Sequence, residues 1–302
     1  MKYFCVSIFL IAVYPLCAAA GKTHAAKYSD TVSADTVKTD TSVADTNTVL
    51  RKQSLTIGVN YGSDENFFGR TGPIKFPFMS MDAIYNTKNG FFGYASVLKV
   101  LGYSPLFDEL DLGGGYSYKP FKNFAGTVSY TRFIFNKDAH VIKSGSSNDL
   151  DWNNSYNWNI MKTGVTLDYL FGVSHDYFVT ISNSHYFESS FSVFDDKDYL
   201  TFTPAVNIIL GTQNFVQRYS LDHDFLMDAN NIYTPPIDEP RIAHENAMFN
   251  MLNYSFKLPI AYNRPHYTLE FAYKYSIPVN VEGALKNHKE SFYNLTFYYV
   301  FY

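Results

Sequence analysis

From Ser54 onward, large apolar residues recur at every second position. In "HYTLEFAYKYSIPV" (266–279) one set is Tyr267, Leu269, Phe271, Tyr273, Tyr275 and Ile277, and the other is Thr268, Glu270, Ala272, Lys274 and Ser276. The split repeats in "MLNYSFKLPIAY" (251–262), where Leu252, Tyr254, Phe256, Leu258, Ile260 and Tyr262 alternate with Asn253, Ser255 and Lys257. "SLTIGVNYG", "LDLGGGYSYKP" and "DYLTFTPAVNIILG" follow the same rule. A period of two is the mark of strands with chemically distinct faces. The pattern predicts strands at 54–62, 76–86, 90–102, 107–119, 123–135, 158–171, 175–187, 198–211, 214–220, 246–261, 266–278 and 291–302. "NFVQRYS" (214–220) enters because without it the next short turn falls on the opposite side. Ten or fourteen strands are the alternatives to twelve.

Alternation also occurs in soluble sandwiches, where a second sheet covers the apolar face and the polar face meets water. Two features favour a closed barrel. The polar face is mostly Gly, Ala, Ser and Thr with isolated charges, as suits a confined lumen. The connections also come in two kinds. Tight turns at 85–92, 118–124, 169–178 and 261–267 are flanked by Tyr85 and Phe92, Tyr118 and Phe124, Tyr169 and Tyr177, and Tyr262 and Tyr267. Long polar stretches at 136–157, 188–198, 221–245 and 279–290 alternate with them. Short turns and interfacial aromatics on one side, with long loops on the other, are expected of a transmembrane antiparallel up-and-down β-barrel.

The segment ahead of the strands supports export. Met1-Lys2 is basic, "FCVSIFLIAVYPLC" (4–17) is apolar, and "AAAG" (18–21) offers small residues, the layout of a signal peptide over 1–20. A lipid anchor on Cys17 competes, but Tyr14 and Leu16 sit where that motif wants Leu and a small residue. Residues 21–53 read as a disordered Thr/Asp/Ser-rich periplasmic linker, because this composition buries no core. Asp30-Thr31-Val32 and Asp35-Thr36-Val37 within it resemble an O-glycosylation triplet, with a plain spacer as the simpler reading. The barrel then occupies 54–302.

Both cysteines, Cys5 and Cys17, lie in the leader, so the mature chain has no thiol for disulfides, metal or nucleophilic chemistry. A net charge of −4 gives no basic field for nucleic acid. The aromatic share of 18%, from 26 Tyr and 27 Phe against 2 Trp, suits an apolar outer belt. No stretch after residue 20 approaches the ~18 consecutive apolar residues of a membrane helix.

Taken together, these features resemble a Gram-negative outer-membrane β-barrel, porin-like and of no narrower family. The final strand, "SFYNLTFYYVFY" (291–302), resembles the terminal signal read by the barrel-assembly machinery. Two phases compete there: Tyr302, Val300 and Tyr298, or the more apolar Phe301, Tyr299, Phe297 and Leu295. The resemblance implies residence in the outer membrane among lipid and lipopolysaccharide, with Phe301 beside the other interface aromatics.

Strand parity turns Asp82, Lys99, Glu109, Asp111, Lys119, Lys162, Asp168, Arg218, Lys257, Glu270 and Lys274 into the lumen. Their signs nearly balance, which suits a passive channel for small hydrophilic solutes and equally a lumen closed by its own ion pairs, a structural or adhesive barrel acting through its loops. A third reading is an interfacial lipid hydrolase. It would need a Ser–His pair, and His185 in "SNSHYFESS", near Ser184, Ser189 and Ser190, is its one candidate. Adjacent residues on a strand face opposite ways, so Ser184 cannot serve His185. The histidines at 140, 175, 223, 244, 266 and 288 show no ligand spacing. The clusters Asp149/Asp151, Asp195/Asp196/Asp198 and Asp222/Asp224/Asp228 read as solvated loop surface, with cation bridging to lipopolysaccharide as the alternative. No catalytic residue, metal or cofactor is assigned.

Overall fold

The computed structural model describes residues 53–72, 74–136, 139, 141, 146–215, 248–281, 285 and 288–302. The expected signal peptide (1–20), the expected linker (21–53) except its last residue, Arg218 and the 221–245 stretch lie outside them.

The strands are β1 (Ser54–Gly62), β2 (Phe78–Asn86), β3 (Phe91–Val100), β4 (Glu109–Phe121), β5 (Phe124–Phe135), β6 (Ser146–Asn157) and β7 (Lys162–Gly172). They continue with β8 (His175–Ser184), β9 (Phe187–Glu188), β10 (Tyr199–Phe202), β11 (Ala205–Gly211), β12 (Asn250–Asn263), β13 (Tyr267–Pro278) and β14 (Glu290–Phe301). All pairings are antiparallel. β1 pairs with both β2 and β14, and β11 with both β8 and β12, so twelve strands close into a ring with β9 and β10 outside it. Closure leaves no bare edge in the wall.

β9 and β10 continue the wall rather than form a separate unit. β10 and β11 pair successively with one edge of β12, from Tyr199↔Asn263 to Gly211↔Asn250. The break falls at Thr203-Pro204, where proline offers no N–H. His185 N–H donates to Pro204 O at 3.1 Å, and β9 then pairs with β10. The β8–β11 hairpin therefore runs past its neighbours beyond the rim where β1 begins and β14 ends. We call this the near rim and the opposite one the far rim.

The strand count agrees with the sequence reading, but two of its members differ. Residues 146–157 form β6, where a loop was expected. No strand starts at 214: Asn214 and Phe215 make a helical turn held by Asp176. The Asp176 carboxylate accepts from Thr212 Oγ1 (2.7 Å), Asn214 N (2.8 Å) and Phe215 N (3.0 Å). Gaining one strand before 158 and losing one after 211 leaves the total even, yet reverses β7, β8 and β11 end for end. The tight turn after β7 thus lies at the far rim, and the 185–204 connection lies at the near rim.

Each ring strand presents apolar side chains outward. Ile57, Met81, Val97, Leu112, Val128, Leu150, Leu167, Val206, Phe256, Phe271 and Leu295 are all exposed, a continuous apolar belt. A contiguous exposed apolar surface of this extent is foreign to soluble monomers. In the last strand Leu295, Phe297, Tyr299 and Phe301 are exposed while Tyr298 is buried, so the more apolar phase faces out.

Candidate functional site

A hairpin within the β1–β2 connection folds into the barrel. Phe67 and Arg70 exchange backbone hydrogen bonds at 2.8 and 2.9 Å around Phe68 (φ 45°) and Gly69 (φ 79°), the geometry of a type I′ turn. Asn66 Oδ1 accepts from Gly69 N at 2.9 Å. The turn reaches across the ring, where Phe67 and Phe68 pack with Leu170 of β7, Phe178 of β8, Ile209 of β11, Leu252 of β12, Phe215 and Leu285. Phe68 stacks on Phe178 with centroids 3.7 Å apart. Burying two phenyl rings stabilises by roughly 2 kcal/mol each, which exceeds the roughly 1 kcal/mol cost of a positive φ at a non-glycine residue.

Arg70 fastens the turn. Its side chain is fully buried, with Nε and Nη2 donating to Gln213 Oε1, Nη1 to Leu252 O (2.6 Å), and Nη2 also to Val279 O (2.8 Å) and Asn280 O (3.2 Å). Asn253 Nδ2 donates to Gly69 O at 3.2 Å, and a Cβ on Gly69 would lie 2.3 Å from Asn253 Cβ. Only glycine permits this approach.

The root of the hairpin is tied to its own side. Asp64 Oδ1 accepts from Glu65 N (2.9 Å) and Phe76 N (2.8 Å), bridging the two legs. Lys75 Nζ pairs with Glu290 at 2.8 Å, and Thr71 Oγ1 donates to the other oxygen of Glu290. Burial raises the Asp64 carboxyl to about 6, with the nearby Glu290 charge adding to the rise and the two backbone N–H groups opposing it. Further packing at the far rim comes from Phe76, Val100, Ala139 and Val141. Asp108 supports it, accepting from Val100 N at 2.7 Å and pairing with Lys99 Nζ at 3.4 Å.

Two halves of the interior result. Toward the near rim on the β5, β7, β8 and β11 side, Thr166, Thr180, Ser182, Asn207 and Ser129 stay half-exposed, a polar vestibule, while Ile84, Phe92, Tyr298 and Asn263 are buried on the other side. Deeper, the inward side chains are buried. Asp82 (donor Ser96 Oγ, 2.6 Å), Glu109, Asp111, Asp168, Glu270 and Lys274 belong to this buried set, while Lys119, Lys162 and Lys257 share the inward phase and are half-exposed. Two acids expected in a loop, Asp149 and Asp151 of β6, join them, with Asp151 directly opposite Asp168. Alternation at Leu150, Trp152 and Tyr156 was the signal that could have found that strand.

Two residues occupy the face opposite to the one expected. Lys99 shares the outward phase of Val97 and its partner Met79. Phe92 points inward, buried with Ile84 and Tyr94, and Phe91 is the exposed ring at that turn. The cause is the composition of β3, whose outward positions include Gly93 and Ala95 while its bulk fills the interior. Facing it, β4 is reduced to glycine: a Cβ on Gly113 would lie 2.4 Å from Tyr94 Cζ. Tyr169 and Tyr177 face outward as expected but stand at the far rim, stacked 4.8 Å apart. Tyr85, Tyr118, Phe124, Tyr262, Tyr267 and Phe301 hold outward positions toward the near rim. Arg218 is among the residues not described.

His185 is outward but at the near rim, with its ring against Phe187 (4.2 Å). Ser189 Oγ donates to Phe191 O and accepts from Leu200 N. Among the described residues no serine hydroxyl is bonded to that imidazole, and no group of acidic or histidine side chains is arranged to hold a metal ion.

No family of known sequences matches the chain, nor does any curated protein. Among solved structures it resembles the KdgM porin, with a TM-score of 0.46 and 8% identity over 82% of this chain and 99% of that one. It also resembles the NanC porin (0.45, 10%, 80% and 98%) and LpxR from Salmonella typhimurium (0.43, 7%, 82% and 99%). At such identities and scores, nothing about cargo or chemistry passes from them to this chain. Its own closed ring makes it porin-like in architecture.

Proposed function

We propose that the protein is an outer-membrane barrel offering a narrow passive route for small hydrophilic solutes, constricted by its own inward hairpin. The observation that carries this reading is the polar, half-exposed vestibule inside an apolar outer belt. A polar interior is useful to solutes only where the exterior meets hydrocarbon. The hairpin at Phe67–Arg70 sets the bore. Planar-bilayer recording of the purified protein tests the proposal. Discrete conductance steps are expected, small in the intact chain and larger when Arg70→Ala frees the hairpin. Silence from both proteins would remove the channel reading.

The buried far half favours a second reading, a non-conducting barrel. One motive for it weakens, since much of 136–157 is β6 and not loop. The lipid-hydrolase reading loses ground because its one histidine lies against a phenylalanine.

A further inference from the structure

The 185–204 hairpin presents an apolar surface that the solute route does not use. Its outer face carries Phe187 and Phe202, with rings 5.9 Å apart and beside the outward Ile260. At its tip Phe191 and Phe194 are 63% and 82% exposed. These rings are held in place by an ordered loop. Asp198, buried at 4% exposure, accepts from Val193 N (2.6 Å), Phe194 N (2.9 Å), Asp195 N (3.2 Å) and Tyr262 OH (2.8 Å). Arg264 at the β12–β13 turn pairs with Asp195. Five contacts thus spend polar groups on holding two phenyl rings away from any core.

Resting on the membrane-spanning reading above, we infer that the 189–198 tip is a lipid-contacting foot, with Phe191 and Phe194 seated at the headgroup–acyl boundary of the leaflet at the near rim. Continuity with the belt identifies the occupant. The Phe194 ring stands edge-on to Tyr262 at 5.7 Å, Tyr262 lies 6.2 Å from Tyr267, and Tyr267 lies 5.9 Å from Phe297. The apolar surface therefore runs unbroken from the wall onto the tip, and the solvent that bathes the wall reaches the tip too. Aromatic rings ending an apolar band settle at that boundary. Lys197 beside them supplies a cation for lipid phosphates.

The test places a reporter at the tip. Trp152 and Trp158 are replaced by Phe, Phe194→Trp is introduced, and the full chain is reconstituted in phosphatidylcholine brominated at shallow or deep acyl positions. Blue-shifted emission, quenched more by shallow bromines, is expected, with the same result for Phe191→Trp in that background. A companion protein keeping only Trp152, which is outward on β6, reports the wall itself. Quenched Trp152 with unquenched tip reporters overturns the foot alone. Unquenched Trp152 as well removes the membrane reading beneath it. Tip emission shifted to the blue but unquenched, with cross-linked dimers, assigns the surface to a second copy and overturns the proposal.

Discussion

Arg70 donates two hydrogen bonds to a single acceptor, Gln213 Oε1, at 3.0 Å through Nε and 2.8 Å through Nη2. The pair joins a loop between β1 and β2 to the chain just beyond β11, across the barrel. It converts the connection into a fixed bar, because the remaining guanidinium donors engage backbone carbonyls of β12 and of the chain just after β13.

Arg70→Met should release the bar. It strips the carbonyls of Leu252, Val279 and Asn280 of a buried donor while keeping much of the side-chain volume, a loss of about 3 kcal/mol. Single-channel conductance should rise, and proteases cutting after aromatic residues should reach Phe67 and Phe68. Unchanged conductance together with unchanged cleavage would contradict the role given to the bar.

Gly69→Ala should loosen the same turn by another mechanism. At φ 79° an added Cβ is strained, and the approach to Asn253 closes the remaining space. The cost is about 1–2 kcal/mol. Asn253→Gly in the same protein removes the clashing Cβ and should recover only the steric part. Amide exchange at Gly69 and Arg70 reads both effects.

Asp64 makes hairpin docking depend on acidity. Its carboxyl titrates at about 6 when docked, above its ordinary 3.8, so docking favours the protonated form. Docking should be tightest below about pH 4, weaken as pH rises from 4 to 6, and level off above. Asp64→Asn should flatten that window. Conductance measured from pH 4 to 7.5 checks the sign: a bore that narrows with rising pH would refute it.

The inward charges of the described ring strands lean acidic. Asp82, Glu109, Asp111, Asp149, Asp151, Asp168, Asp176, Glu270 and Glu290 outnumber Lys119, Lys162, Lys257 and Lys274. A potassium chloride gradient should give a reversal potential of cation-preferring sign. Asp151→Asn with Asp168→Asn should reduce it severalfold.

Much of this was legible in the sequence, and each failure has a physical cause of its own. Alternation reports which face a residue occupies, and turning a strand end for end preserves that alternation. Asp168 and Lys162 therefore share the inward phase of β7 in either direction, although β7 runs opposite to the expected sense. β6 escaped notice because "SSNDLDWNNSYN" is rich in Asn and Asp, poor strand formers whose place in the wall depends on neighbours β5 and β7. The balance of inner charge was misjudged for the same reason, since Asp149 and Asp151 belonged to a supposed loop. The inward hairpin left only a faint trace: "NFFGR" reads as a turn, but its partners Gln213 and Leu252 lie far along the chain. Phase at β3 failed because its bulk points in, against the rule of the other strands.

The seam of the ring joins Leu55 to Phe301 and Gly62 to Asn294. A polypeptide carrying everything up to residue 289 leaves β1 and β13 each paired on one side only, by β2 and β12, and the two free edges would present unpaired amides to whatever lies beside them. Sealing must therefore be the last event in assembly. Until it happens, the half-made wall has two sticky margins, and only the last twelve residues of strand can cover both.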